Sequence, residues 1–223
     1  MRKFAIGIAI SAVFLTAPAV MSAPDDELRI PIEGSPEGGN SPPAGWEVKE
    51  WNGKAGYSVE ETEIGKALHL KSDGASTALH REVSFDIKDN RFLNWKWKVV
   101  KLPKGGDVRD KSLDDQAVQI YVIFPKWPAA VNSNLIGYIW DSGAPEGALV
   151  TSQKFSKIKY FVIKSGEKGL GKWLTEKRNV YEDYKAAFNE EPPPVGKVSV
   201  QIDSDDTKTS GESYIGDIYF SSK

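Results

Sequence analysis

Residues 93–124, LNWKWKVVKLPKGGDVRDKSLDDQAVQIYVIF, contain two strand patterns separated by an acidic loop with two glycines. In the first pattern Leu93, Trp95, Trp97 and Val99 alternate with polar residues, as in a strand with one buried and one solvated face. The second pattern, residues 117–124, is apolar on both faces and predicts a central strand. The stretch therefore predicts a β-sheet and, between two of its strands, a loop rich in carboxylates.

Similar short patterns recur on both sides of this stretch. We predict strands at residues 46–51, 57–62, 67–71, 79–87, 135–140, 157–164, 198–202 and 214–220. Residues 173–188 have helical spacing instead and are followed by three consecutive prolines. The sequence thus predicts an all-β fold, a two-sheet antiparallel β-sandwich of jelly-roll type with one short helix in a late connection.

The N-terminal residues have the pattern of a secretory signal. Arg2 and Lys3 precede an apolar run over residues 4–15, and small residues follow it. We expect residues 1–23 to be a signal peptide, residues 24–45 an N-terminal strand and loop, and residues 46–223 a single β-sandwich domain. The run is short for a membrane span, so we expect a periplasmic or secreted protein without one, the alternative being a retained N-terminal anchor.

Composition excludes several classes of function. The chain has no cysteine, which removes disulfides, thiol catalysis and cysteine-ligated metals. Its net charge of −2 does not suggest a nucleic-acid partner. Only two histidines occur, and no serine-hydrolase or zinc-protease motif is present. We therefore predict no catalytic residues, and we expect a monomer.

The acidic loop has three interpretations. Asp107, Arg109 and Asp115 could contact a ligand, because an Asp–Arg pair can hold sugar hydroxyls by charge-assisted hydrogen bonds. Its carboxylates could instead bind a hard cation such as Ca²⁺. In the third interpretation the loop is solvated, and its aspartates cap turns and pair with neighbouring cations.

A second set of carboxylates lies near the C-terminus. Asp203 and Asp205 alternate as at the start of a calcium loop, and Asp217 lies in the last strand. We take these three as candidate metal ligands, and structural calcium is the one cofactor that the sequence suggests. The EF-hand pattern fails, because its glycine and glutamate positions hold Lys208 and Tyr214.

Each of these carboxylates also has an interpretation without a metal. Asp203 and Asp205 could simply form a turn between two strands. Asp217 could form an ion pair with Arg81 or Arg178, because a buried carboxylate needs a partner.

Four side chains predict a polar and aromatic surface. Gln119 and Tyr121 point away from the apolar face of their strand, and Tyr138 and Trp140 share a face of the next strand. If these faces align in one open sheet, the rings can stack on sugars and the amide can bind hydroxyls. The alternative is that the connection at residues 173–188 covers this face.

Five motifs occur together, in this order: WKWKVVKLPKGGDVRD, DDQAVQIYVIF, YIWDSGAPEG, RNVYEDYKAAFNEEPPPVGKVSVQIDSDDT and YIGDIYF. With them the chain resembles, over roughly residues 46–220, a bacterial exported family classified as domain of unknown function 3047. The resemblance implies one globular unit in the bacterial envelope and no established catalytic residue.

More loosely, the strand order and the closing Asp-Ile resemble jelly-roll carbohydrate-binding modules, which often hold a structural calcium. By position this resemblance implies a role for Asp217, with Glu33 as the candidate partner in the first strand.

A second loose resemblance is to jelly-roll polysaccharide lyases. Gln119, Ile120 and Tyr121 lie where those enzymes have Gln-Ile-His, and Tyr160 and Phe161 match their Tyr-Phe strand. Tyrosine in place of the histidine is a departure from the chemistry of that family.

Three functional hypotheses follow. The first is a protein that binds a glycan or cell-envelope component without turnover. The second is a glycan-cleaving enzyme with Tyr121 or Tyr138 as the acid–base group beside Arg109. The third is an envelope module that recognises a protein partner through the same face.

Overall fold

The computed structural model describes residues 27–34 and 41–223. In chain order its elements are β1 (Leu28–Arg29), β2 (Glu47–Asn52), β3 (Gly56–Thr62), β4 (Gly65–Asp73), β5 (Ser76–Phe85), β6 (Phe92–Lys101), β7 (Gln119–Phe124), α1 (Ala129–Asn132), β8 (Asn134–Asp141), β9 (Leu149–Thr151), β10 (Ile158–Ser165), β11 (Leu174–Asn179), α2 (Val180–Phe188), β12 (Val195–Asp203) and β13 (Ser210–Ser221). The predicted signal peptide lies outside the described residues.

The strands form two sheets. Sheet A has the order β11-β6-β13-β4-β3, with β1 paired to β13. Sheet B has the order β2-β5-β12-β7-β8-β10-β9. All pairings between these strands are antiparallel except that of β10 with β8, which is parallel. The predicted all-β sandwich with a short helix in a late connection is confirmed.

Aromatic side chains from the two sheets meet in the core. Trp95 and Trp97 of β6 are buried, as the alternation in that strand predicts. The ring centroid of Trp95 lies 5.4 Å from that of Tyr138 in β8, and that of Trp97 lies 6.0 Å from that of Trp140. These contacts join sheet A to sheet B and fix which face of β8 is interior.

The late connection holds a strand as well as a helix. Its first half is β11, which pairs with β6 at the edge of sheet A. Helix α2 follows, with the side chain of Asn179 accepting a hydrogen bond from the backbone N–H of Glu182 and Asn189 ending the helix in the left-handed conformation. Tyr184 of α2 packs against Phe124, with ring centroids 4.5 Å apart, so the helix lies against an edge of the core and not over the outer face of sheet B.

The acidic loop between β6 and β7 packs on the outer face of sheet B. Asp141, at the end of β8, accepts hydrogen bonds from the backbone N–H groups of Val108, Gly143 and Ala144 at 3.0, 2.8 and 2.6 Å. Val108 is thereby buried in a second apolar cluster with Tyr121 and other outward-facing residues of sheet B. The loop is therefore a packed part of the fold.

No helix among the described residues has both the length and the apolar character needed to cross a membrane.

Candidate ligand-binding cleft

A cleft of about 720 Å³ lies over the outer face of sheet B. Strands β5, β12, β7, β8 and β10 form its floor, and the segments 49–52, 114, 129–133 and 152–155 form its sides. Pockets that hold small ligands in proteins have volumes of about 300–1,000 Å³. The cleft is thus large enough for a ligand of several rings.

The strand register places one row of side chains across the floor. His80, Ser199, Tyr121, Gly137 and Tyr160 are successive partners from β5 to β10. Because Gly137 has no side chain, the tyrosines on either side of it approach each other, and their hydroxyl oxygens lie 3.2 Å apart. The two rings therefore form a continuous aromatic floor over β8.

Substituting Gly137 should disturb this floor. A Cβ atom there would lie 2.9 Å from ring carbons of both Tyr121 and Tyr160, which is too close for rigid, buried rings. We expect Gly137→Ala to lower the free energy of unfolding by about 1–3 kcal/mol. The matched control is Gly56→Ala in β3, where the nearest atom to the new Cβ would be a carbonyl oxygen at 3.6 Å. Urea denaturation compares the two variants, and an equal effect would contradict the close approach.

The two halves of the cleft differ in polarity. Strands β2, β5 and β12 contribute hydrogen-bonding groups: Lys49, His80, Lys197, Ser199 and Gln201. The half over β7, β8 and β10 is apolar and aromatic: Tyr121, Ile123, Leu135, Phe155, Ile158 and Tyr160. A ligand that spans the cleft meets ring and aliphatic surface on one side and polar side chains on the other.

Carboxyl groups line one end of the cleft. Burial raises the pKa of Asp114 to about 6. Burial and the neighbouring Asp205 carboxyl raise the pKa of Asp203 to about 9. Burial acts against ionisation of Asp205 too, but hydrogen bonds with Asp203 and Asn52 keep its pKa below the usual value. Near neutral pH this end therefore has ionised carboxylates beside a neutral carboxylic acid.

Exposed aromatic side chains lie at the sides of the cleft. Trp51 at the end of β2 is 64% exposed, and Phe155 in the turn before β10 is 36% exposed. The ammonium of Lys49 lies 5.1 Å from the Trp51 ring centroid. Large apolar groups in this position are more typical of a binding surface than of ordinary protein surface.

Of the predicted ligand-binding residues, Tyr121 lines the cleft and Gln119 lies beneath it. The Tyr121 hydroxyl donates a hydrogen bond to Gln119, whose amide donates to Gln116 at 2.6 Å. Burial raises the pKa of Tyr121 well above its usual value. The residue is 5% exposed, so only a small part of the ring faces the cleft, and the hydroxyl is held by internal partners.

The placement of Tyr138 and Trp140 on an open surface is wrong. Tyr138 is the register partner of Ile120, so both point into the core, and neither Tyr138 nor Trp140 is exposed. The Tyr138 hydroxyl donates to Asp183, and the Trp140 indole donates to the carbonyl of Gly166. Tyr138 was one of the two alternative acid–base groups, and its position in the core removes it from that role.

Asp107 and Arg109 are paired with each other. The Arg109 guanidinium donates to both carboxylate oxygens of Asp107, at 2.8 and 2.6 Å, and this pairing lowers the pKa of Asp107. Neither side chain lines the cleft. Their geometry fits the interpretation in which the loop satisfies its own charges, and it places Arg109 away from the tyrosine floor.

Asp115 is buried and connects two loops. It accepts hydrogen bonds from the backbone N–H groups of Asp206 and Thr207, at 3.2 and 2.6 Å, and from the Thr207 hydroxyl at 2.5 Å. Its expected position at the rim of a site is wrong, since its side chain does not reach the cleft. It positions the loop that carries Asp114.

Two of the three predicted metal ligands, Asp203 and Asp205, come together, and Asp217 does not. Asp217 lies in sheet A and binds Lys96 at 2.9 Å and Arg29 at 3.1 Å, not Arg81 or Arg178. Asp203 and Asp205 lie in contact at the acidic end of the cleft. Among the described residues, the carboxyl group that could share a cation with Asp205 and Asp206 is that of Asp115. The calcium prediction stays untested, and Asp217 has no place in such a site.

Several residues of the cleft were not predicted to line it. Asp114, Lys154 and Phe155 come from loops without periodicity, so no pattern marked the direction of their side chains. Tyr160 was noted for its match to a Tyr-Phe strand, and its outward direction could have been predicted because it alternates with the core residue Phe161 in β10.

Comparison with solved structures finds remote likenesses. The family 11 carbohydrate-binding module of a cellulosomal cellulase of Clostridium thermocellum is 7% identical, covering 86% of this chain and 95% of that chain, with a TM-score of 0.43. The family 11 xylanase from Neocallimastix patriciarum is 11% identical, covering 85% and 98%, with a TM-score of 0.40. The K1 adhesin domain of Lys-gingipain from Porphyromonas gingivalis is 10% identical, covering 81% and 92%, with a TM-score of 0.40. Scores this low do not bear on what this chain binds.

Comparison with curated proteins finds no match. A comparison with protein families does find one, and it extends over residues 44–219. That range includes all strands from β2 to β12 and most of β13. The chain therefore belongs to the family described as protein of unknown function DUF3047.

Proposed function

We propose that this chain is an exported protein that binds a glycan, without turnover, in the cleft of sheet B. The observation that carries the proposal is the division of one open cleft into an aromatic half and a hydrogen-bonding half. Sugar rings have the matching division, with apolar faces of C–H groups and an edge of hydroxyls. Aromatic rings pack against such faces, while amides, hydroxyls and carboxylates bind the edge.

The arrangement of the polar groups supports a hydroxyl-rich ligand. His80 donates through Nε2 to the Glu47 carboxylate at 3.1 Å, and Lys197 pairs with Glu82 at 2.8 Å, so both are positioned by neighbours outside the cleft. Gln201 is oriented by a hydrogen bond of 3.2 Å to Asp203. Side chains held in this way lose little conformational entropy when a ligand arrives.

The rim aromatics offer a test of binding. We expect Phe155→Ala and Trp51→Ala each to weaken oligosaccharide binding about fivefold, which corresponds to about 1 kcal/mol for the loss of a ring contact. Both side chains are partly exposed, so the thermal midpoint of unfolding should change little. Titration calorimetry with the oligosaccharides that bind the wild-type protein in a broad screen measures the effect.

The matched control is Tyr219→Ala on the outer face of sheet A, where the ring packs under Arg29. This variant should bind as the wild type does. Absence of binding to any glycan at millimolar concentration, or equal losses for Phe155→Ala and Tyr219→Ala, would contradict the proposed site. Release of new reducing ends during long incubation would contradict binding without turnover.

A further inference from the structure

The acidic end of the cleft has more negative than positive groups. Four carboxyl groups meet there, those of Asp114, Asp203, Asp205 and Asp206, and among the described residues Lys154 is the cation that acts on all four. The Lys154 ammonium is already paired with Asp206. Negative charge on the other three groups therefore has no cationic partner of its own.

Asp114 has one carboxylate oxygen that is not used within the described part of the chain. The residue is 4% exposed, and its side chain lines the cleft. Its Oδ1 accepts a bond of 3.2 Å from Gln116, and its Oδ2 accepts none from the described residues. One oxygen of a nearly buried carboxylate is thus left for a donor that enters the cleft.

A buried carboxylate without a full set of partners is unfavourable, and the penalty disappears if a cation or strong donor arrives with the ligand. Burial raises the pKa of Asp114 to about 6, so near neutral pH the group is mainly ionised. The negative charge of Asp114 also acts on the Tyr160 hydroxyl, which places the carboxylate beside the aromatic floor. A donor at this point would be attached to a ring that lies on Tyr160 and Tyr121.

An organic ammonium fits this place better than a metal ion. Ca²⁺ takes six to eight oxygen ligands, whereas an ammonium is satisfied by three acceptors. Among the described residues, the carboxyl groups close enough to share a metal ion are those of Asp115, Asp205 and Asp206, and Asp114 is not one of them.

We propose that the glycan bound in this cleft carries a free amino group, and that its ammonium donates to Asp114. This inference rests on the proposed function and names the class of ligand, an amino sugar without an N-acetyl group. Neutral sugars can still occupy the floor, but they leave the Oδ2 of Asp114 without a charged donor.

Three probes of equal length separate the possibilities. Chitosan, cellulose and chitin oligosaccharides share a β-1,4-linked glucose backbone and carry at C2 an amine, a hydroxyl and an N-acetyl group respectively. The amine is partly protonated near neutral pH, and contact with an ionised carboxylate favours its ammonium form. By titration calorimetry near neutral pH, we expect the wild-type protein to bind the chitosan oligosaccharide about tenfold or more tightly than the cellulose oligosaccharide, the effect of one charge-assisted hydrogen bond. Equal affinity, or tighter binding of the neutral oligosaccharides, overturns the inference.

Asp114→Asn tests which residue is responsible. This isosteric change should remove the preference for the chitosan oligosaccharide and leave affinity for the cellulose oligosaccharide unchanged within about twofold. The matched control is Glu61→Gln at an exposed position of β3 in sheet A. It removes one negative charge from the other side of the sandwich. If both variants lose affinity equally, the attraction comes from the net charge of the protein, and the assignment to Asp114 is wrong.

Different binding results would contradict the preference for an amino sugar and the proposed binding of glycans. If the cellulose or chitin oligosaccharide binds and the chitosan oligosaccharide gains nothing, the cleft binds glycans and the amino group is wrong. If none of the three binds and a broad glycan screen is also blank, the proposed function itself is wrong. The wild-type comparison decides the first question even if Asp114→Asn does not fold.

Discussion

Replacing Tyr138 by alanine is expected to lower the free energy of unfolding by about 3–5 kcal/mol, as for other large aromatic residues removed from protein cores. The side chain is completely buried, with its ring between Trp95 and Phe161 at centroid distances of 5.4 and 5.8 Å. Its hydroxyl donates to Asp183 at 2.8 Å. Truncation would leave a cavity between the sheets and remove a partner of a nearly buried carboxylate.

Urea denaturation followed by tryptophan fluorescence measures this change, and Tyr138→Phe is the control. The phenylalanine keeps the ring, and Asp183 keeps its ion pair with Arg178, so the loss should be only about 1 kcal/mol. If Tyr138→Ala instead unfolds like the wild type and loses only ligand binding, Tyr138 belongs to a surface and the described packing is wrong.

The contrast between Tyr138 and Tyr121 shows what alternation can and cannot predict. In β6 one face is polar, so the interior position of Trp95 follows from the sequence. In β7 and β8 both faces are apolar, because the loop between β6 and β7 and the residues around β9 cover part of the outer side of sheet B. The direction of Tyr138 depends on its register with Ile120, which no local pattern contains.

Other differences have the same physical origin. Strand β11 was not predicted because it is an edge strand whose residues are all partly or fully exposed, so it lacks alternation. The role of Asp115 was hidden because its partner Thr207 lies 92 residues away in the chain. Asp217 was expected to pair with Arg81 or Arg178, but it pairs with Arg29 and Lys96, because it lies at a bulge in β13 where its φ angle is 50°.

The polar and aromatic character of the outer face of sheet B could be predicted from the sequence, but the acidic end of the cleft could not. Alternate residues of a strand lie on the same face, so the sequences of β7 and β12 predict a polar and aromatic outer face. The structure places on that face the predicted residues Gln119, Tyr121, Ser199 and Gln201. The acidic end comes from loops, which packing and hydrogen bonding position independently of any repeat. For that reason the sequence pattern put Asp114 in the acidic loop but did not indicate that its side chain lines the cleft.

Asp203 should make the protein less stable as pH rises, and Asp203→Asn should remove this dependence. The pKa of Asp203 is raised from 3.8 to about 9 in the folded protein by burial and by the Asp205 carboxyl. Because the folded state binds this proton more tightly than the unfolded state, its stabilisation is complete below pH 3.8 and is lost progressively as pH rises towards 9. Each tenfold difference in proton affinity corresponds to about 1.4 kcal/mol.

We therefore expect Asp203→Asn to match the wild type at about pH 4 and to be more stable by about 2 kcal/mol or more at about pH 8. The asparagine stays neutral, its amide oxygen can still accept from Gln201, and its NH₂ group can donate to the Asp205 carboxyl that the Asp203 side chain contacts. Urea denaturation over this pH range gives the difference between the two proteins at each pH.

Asp205→Asn is the control, because the opposite sign is expected for it. The pKa of Asp205 is below 3.8, so its ionised form stabilises the fold above that pH and the contribution is lost as pH falls. Removing it should therefore destabilise the protein near neutral pH and have less effect in acid. If both variants respond to pH in the same direction, the two carboxyl groups do not share a proton, and the end of the cleft is more hydrated than its packing suggests.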